Sequence, residues 1–197
     1  MSLTTLDLLR HGAVEGQFCP GEGSDPALNA SGWLSLRAWL REPPGWQAVI
    51  SSPALRCAEF AREAADRLDL PLSFDPDWRE LDFGDWSGRS WPDLYASEDA
   101  ALMAFWRRPS GNPAPGGEDF RCFEQRVRTA CGRALRDEEG RHVLIVTHAG
   151  PIRTLVRQVL GFPVTRLARL EAPLAGLSRL ERWEREPPRL IFHGGRP

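Results

Sequence analysis

The run HVLIVTH, residues 142–148, passes without a spacer into AGPIRTLVRQVLG. An unbroken, largely β-branched apolar stretch suits a strand buried on both faces. Gly150 and Pro151 directly behind it suit the opening turn of a helix. A doubly buried strand that leads straight into a helix is the building unit of an α/β sheet, and it leaves few other fold classes open.

The same order recurs along the chain. LTTLDLL, residues 3–9, reads as a buried strand stopped by RHG. NASGWLSLRAWLRE, residues 29–42, has helical spacing of Trp33, Leu36 and Leu40. WQAVISS predicts a second strand. The segment after it predicts a helix capped by Ser52, with Pro53 in its first turn and Leu55, Ala58, Ala61, Ala65 and Leu68 on one face. LPLSF predicts a short strand, residues 98–107 a helix, and the Pro/Gly-rich residues 108–119 a linker or a lid. EDFRCFEQRVRTACGRALRDEEG predicts a long amphipathic helix, and GLSRLERWE and PRLIFH two closing strands. The alternation predicts helices on both faces of a sheet, without giving strand order.

A chain of 197 residues with 42% hydrophobic content suits one domain over residues 1–197. A net charge of −2 gives no footprint for nucleic acid. All 25 basic residues are arginine, so a Schiff-base lysine and a P-loop lysine are excluded. No apolar run approaches the ~20 residues of a membrane span, which leads to the expectation of a soluble, cytoplasmic protein without a membrane partner. Cys19, Cys57, Cys122 and Cys131 show no metal-binding spacing, so free thiols and no metal are expected.

Three strands end alike, on polar residues next to a turn or helix start, in LLRHG, VISSPALR and VLIVTHAG. Ligands of open α/β sheets bind beyond the carboxyl ends of the strands, where helix N-termini offer N–H groups to anions. Arg10, His11, Arg56 and His148 are therefore candidates for one site. Ala149, at the start of its helix, joins the substrate-facing set. Two guanidinium forks match phosphate oxygens, and two imidazoles supply a nucleophile and a donor. Glu80, in RELDFGDW, is the candidate acid, a carboxyl that holds its proton beside a bound phosphate dianion.

These blocks, LLRHG, SSPALRCAEFA, ELDFGDWSG, PGGEDFRCFEQRV and VTHAGPIR, resemble in sequence and order those of the histidine phosphatase superfamily, the phosphoglycerate-mutase-like proteins. The look is closest to the alpha-ribazole phosphatase branch. The resemblance implies a three-layer α/β/α sandwich with a mixed, mostly parallel sheet. It implies a metal-independent and cofactor-free phosphomonoesterase: His11 becomes phosphohistidine, Arg10, Arg56 and His148 hold the equatorial oxygens, and Glu80 serves as acid and then base. Alpha-ribazole 5'-phosphate or a related riboside phosphate is the expected substrate. A phosphoglycerate-mutase-type enzyme, a broad sugar-phosphate phosphatase and a phosphate-binding module without turnover remain open, as does a homodimer.

Where the family usually has a hydroxyl, this chain has Val14, which removes one phosphate donor. Gln17 stands near the usual asparagine and is a candidate substrate contact. Glu118 is expected to cap the following helix or touch substrate, and Asp119 to add negative charge near the mouth. Trp86 and Trp91 are expected to flank the mouth, open to stacking on a ring or to packing. Trp33, Trp39 and Trp46 are expected to pack, and His142 and His193 to be solvent-exposed bystanders.

Overall fold

The computed structural model describes residues 2–16, 18–21, 24–184 and 186–195. Six strands form one sheet: β1 (Leu3–Arg10), β2 (Ala48–Ser51), β3 (Leu72–Phe74), β4 (His142–Thr147), β5 (Leu177–Trp183) and β6 (Arg189–Gly195), in the order β3-β2-β4-β1-β5-β6. The β1·β4, β2·β4 and β2·β3 pairs are parallel, whereas β1·β5 and β5·β6 are antiparallel. The sheet is thus mixed and mostly parallel, as the resemblance implies.

Alternation along the central strands decides which helix covers which face. Leu6, Leu8, Val143 and Ile145 share a core with Phe123 and Val127 of α5 (Phe120–Asp137) and with Ile152 and Leu155 of α6 (Ala149–Leu160). Leu94 of α3 (Trp91–Ser97) and Leu102 and Phe105 of α4 (Asp99–Arg107) extend that core. Leu9, Leu144 and Val146 point the other way, onto Leu36 of α1 (Ala30–Arg37) and Cys57, Phe60 and Ala61 of α2 (Leu55–Leu68). Helices therefore lie on both faces. Trp39 and Trp46 pack in this second core, as expected, and Trp33 packs at its margin.

Three expectations need correction. α2 starts at Leu55, not Pro53: Ser52 Oγ accepts from Ala54 N–H at 3.3 Å, ahead of the helix, and Asp25 caps the helix, accepting from Leu55 N–H at 2.9 Å. Asp119 caps α5, accepting from Arg121 N–H (2.8 Å) and Cys122 N–H (3.1 Å), so its charge is taken up by helix N–H groups. His142 and His193 are half-buried and partnered: His142 Nε2 lies 2.8 Å from Asp7, and His193 Nδ1 lies 2.7 Å from Ser178. The 108–119 loop packs on the 82–85 turn, with Asp85 N–H donating to Pro115 C=O and Glu118 N–H to Asp82 C=O.

Asp7 is a fully buried charge on β1. It accepts from Arg179 Nε (2.8 Å) and Nη2 (3.0 Å), from Trp46 Nε1 (2.8 Å) and from His142. Burial alone would raise its pKa, but the hydrogen bonds from His142, Arg179 and Trp46 outweigh it and hold the carboxyl below its ordinary 3.8. A carboxyl depressed by folding stabilises the native state above its unfolded pKa and loses that contribution as pH falls through the folded value. Asp7→Asn should therefore cost about 3–5 kcal/mol at pH 7. In urea melts the gap to wild type should narrow steadily below pH 4; a gap that stays constant to pH 3 would refute this account.

Candidate active site

Parallel pairing of β1 with β4 sets Arg10 opposite Thr147, and that of β2 with β4 sets Ser51 opposite Val146. The ladder continues one step further: His11 N–H donates to Thr147 C=O and Ser52 N–H to Val146 C=O, both at 2.9 Å. His11, Ser52 and His148 thus leave the sheet side by side. The His11 and His148 ring centroids are 5.2 Å apart. Gly12 can run here only because Gly32 of α1 faces it, since a Cβ on Gly12 would lie 2.5 Å from the Gly32 carbonyl oxygen.

Each imidazole has one committed nitrogen. His11 Nδ1 lies 2.8 Å from Gly12 C=O, an acceptor only, so Nδ1 carries the proton and Nε2 keeps its lone pair. Burial holds His11 down to about 3, helped by the charges of Arg56 and Arg10 and opposed by the Gly12 bond. His148 Nε2 lies 2.9 Å from Ser52 Oγ, and burial, then Arg56 and His11, hold this ring well below the ordinary histidine value. Cys57 Sγ, 3.6 Å from the same nitrogen, is pushed up to about 12 by burial and stays a thiol.

Arg56, buried in the first turn of α2, pairs with Asp25 at 3.3 Å. Arg10 donates to Ala172 C=O at 2.6 Å, and its Nε is buried without a hydrogen-bond partner among the described residues. Glu80 lies across the N-terminus of α6, accepting from Gly150 N–H at 3.0 Å and from Leu81 N–H at 3.0 Å. A Cβ on Gly150 would sit 2.0 Å from Glu80 Oε1, which is why glycine stands at this position. The loop bearing Glu80 is held from below: Arg126 donates to the carbonyls of Asp77, Arg79 and Glu80 at 2.9 Å, and Thr147 Oγ1 to that of Trp78 at 2.7 Å.

Arg10, His11, Arg56, Glu80 and Ala149 line one cavity of about 480 Å³. Its far wall is apolar: Val14, Phe83, Trp91, Phe105, Trp106 and Phe123. A polar cleft of about 960 Å³, lined by His148, Glu118 and Arg126, adjoins it through Arg56 and Glu80. Glu118 is not a helix cap; it clamps Arg126 with two bonds of 2.7 and 2.8 Å. Trp91 lies on the cavity wall, but Trp86 does not: it is 1% exposed, edge-on to Phe105 in the core. The turn at Gly84–Trp86 directs its ring inward. Gln17 lies outside the described residues. Among the described residues no cluster of three or more His, Cys, Asp or Glu could hold a metal ion.

Sequence reasoning passed over Asp25, Arg126 and Arg153, and read Ser52 only as a helix cap. Arg126 had a readable signal, a charge set among the buried Phe123, Val127 and Ala130 of one helix. Ser52 and Asp25 had none, since their partners are tens of residues away. Burial beside two arginines predicts that His11 is neutral at pH 5, where an ordinary histidine is mostly protonated, and that His148 titrates well below the ordinary histidine value. Imidazole ¹⁵N shifts followed with pH check this; a transition near 6.5 at either ring would contradict it.

A profile of the histidine phosphatase superfamily (branch 1) matches residues 6–192. The bifunctional protein Rv2228c of Mycobacterium tuberculosis is 38% identical over 184 residues, 90% of this chain and 50% of that protein. The chain thus spans about half the length of the first curated relatives it matches. The adenosylcobalamin/alpha-ribazole phosphatase of Salmonella typhimurium is 31% identical over 167 residues, 81% of each chain. Among solved structures, YhfR of Bacillus stearothermophilus superposes with a TM-score of 0.89 at 25% identity, covering 98% of both chains. No helix among the described residues is long and apolar enough to cross a membrane. With a profile that runs through both histidines and nearly the whole sheet, the chain belongs to the histidine phosphatase superfamily, branch 1.

Proposed function

We propose that this chain is a metal-independent phosphomonoesterase that works through phosphohistidine at His11, on a monoester whose leaving group carries a bulky apolar ring. The observation that carries the reading is the His11 Nδ1 to Gly12 bond, which leaves Nε2 as the free nitrogen of a neutral ring in a cavity it shares with Arg10 and Arg56. Nε2 attacks phosphorus while the P–O bond to the leaving alcohol breaks. Arg10 and Arg56 neutralise the equatorial oxygens, and His148 donates from Nδ1, its Nε2 accepting from Ser52. Glu80 gives its proton to the departing oxygen. It then takes a proton from the water that attacks phosphohistidine, which returns His11 and releases phosphate. Ala149, at the first position of α6, offers its N–H to the same anion.

The apolar wall of Phe83, Trp91, Phe105 and Trp106 supports a ring-bearing substrate over a hydroxyl-rich sugar phosphate, which would leave its hydroxyls facing aromatic carbon. Alpha-ribazole 5'-phosphate is the candidate within this class that the similarity to an alpha-ribazole phosphatase supports. Val14, with a methyl-bearing side chain in place of a hydroxyl, belongs to the same apolar surface.

His11→Ala should abolish phosphate release from every substrate. Glu80→Gln should slow turnover of p-nitrophenyl phosphate by about 10²–10⁴-fold while phosphohistidine accumulates, because water activation fails before transfer does. Chelator should leave the rate unchanged and orthovanadate should inhibit as a transition-state mimic. Full activity in His11→Ala, or loss in chelator with recovery in Mg²⁺, would overturn the mechanism. A panel holding alpha-ribazole 5'-phosphate, nucleoside monophosphates, sugar phosphates and 3-phosphoglycerate tests the substrate class.

A further inference from the structure

The catalytic scheme uses two of the three guanidinium groups on the cavity wall and leaves Arg153 unassigned. Arg153 follows Ala149 and Gly150 by four and three positions on α6, so it shares their helix face. Side chains on a helix lean toward its N-terminus, which carries this guanidinium back over the cavity mouth. Its ties there are weak. The side chain is 20% exposed, its Nε is buried without a hydrogen-bond partner among the described residues, and its ion pair to Glu171 is long, 3.8 Å, to a carboxylate 86% exposed.

The other arginines are held more firmly, although Arg10 shares the unpartnered Nε. Arg10 is anchored on Ala172 C=O, Arg56 on Asp25, and Arg126 on Glu118 and three carbonyls. Arg153 also sits close enough to Arg10 to lower its basicity, an effect secondary to burial and opposed by Glu80, so a further anion would relieve the crowding.

We propose that Arg153 binds a second acidic group on the leaving alcohol, a carboxylate or a further phosphate, roughly one helical turn (~5 Å) from the transferred phosphate. Leu167, Ala168 and Leu174 of the same wall pack the apolar body of the substrate beside it. The inference rests on the phosphatase reading and sharpens it. Ring-bearing monoesters with a second anionic group rank above alpha-ribazole 5'-phosphate, whose phosphate is its one acidic group.

The test compares phenyl phosphate with 3-carboxyphenyl phosphate in wild type, Arg153→Met and Arg153→Lys, with thermal melts as a check on folding. The kcat/KM ratio of acid-bearing to parent ester should fall about tenfold from wild type to Arg153→Met, since one charge-assisted contact is lost, and Arg153→Lys should recover part of it. Comparing ratios cancels the difference in leaving-group reactivity. Inhibition by phenylphosphonate and 3-carboxyphenylphosphonate gives the same comparison without turnover. An unchanged ratio, or an equal loss with both esters that assigns Arg153 to the transferred phosphate, overturns the inference. Absence of phosphate release from both esters in wild type overturns the phosphatase reading instead.

Discussion

The parallel pairing of β1 with β4 is the constraint on which the rest of this site depends. Two strands far apart in sequence run in the same direction at the centre of the sheet, in a register that sets Arg10 beside Thr147. Each strand ends one residue before a histidine, so register alone brings the two rings to 5.2 Å. A slip of one residue would turn one histidine to the opposite face of the sheet. The apolar side chains that prevent such a slip, Leu6 and Leu8 against α5 and α6 and Leu9 against α2, thus also hold the two histidines in place.

Burial at this junction has an electrostatic consequence. Imidazoles out of water beside two arginines stay neutral, which is the state a nucleophile and a hydrogen-bond donor need. The arginines must then be held by other means, and the fold supplies them singly: a backbone carbonyl for Arg10 and a carboxylate from the 24–26 stretch for Arg56. Glu80 is placed by a different device. Its loop hangs on Arg126, itself clamped by Glu118, and its carboxylate rests on the Gly150 N–H, the spot toward which the dipole of α6 draws negative charge.

The cavity joins two unlike surfaces: a cationic floor at the strand ends, and an aromatic wall from the 83–106 region that the sheet itself does not contain. In the proposed reaction the floor binds the phosphate. The proposed reading assigns the choice of what is attached to that phosphate to the wall and Arg153, which places chemistry and specificity in separate parts of the chain.

What could be read from the residues alone was local in its physics. Apolar runs of strand length, each leading into helical spacing, gave the α/β alternation, and the polar residues at the ends of those runs gave Arg10, His11, Arg56 and His148. Glu80 was legible through the motif around it. Strand order was not, because a buried strand is apolar on both faces whichever neighbour it takes. Nor were the roles of Ser52, Asp25 and Arg126, whose partners His148, Leu55 and the 77–80 carbonyls meet them only after the sheet has assembled. Trp86 and Trp91 look alike in a Gly-rich loop, and only packing sent one ring into the core and the other to the cavity. Sequence determined which residues stand at the strand ends, since periodicity and chain reversal are properties of neighbours. Tertiary structure decided which side chains face one another there, since that depends on register and on contacts between distant segments.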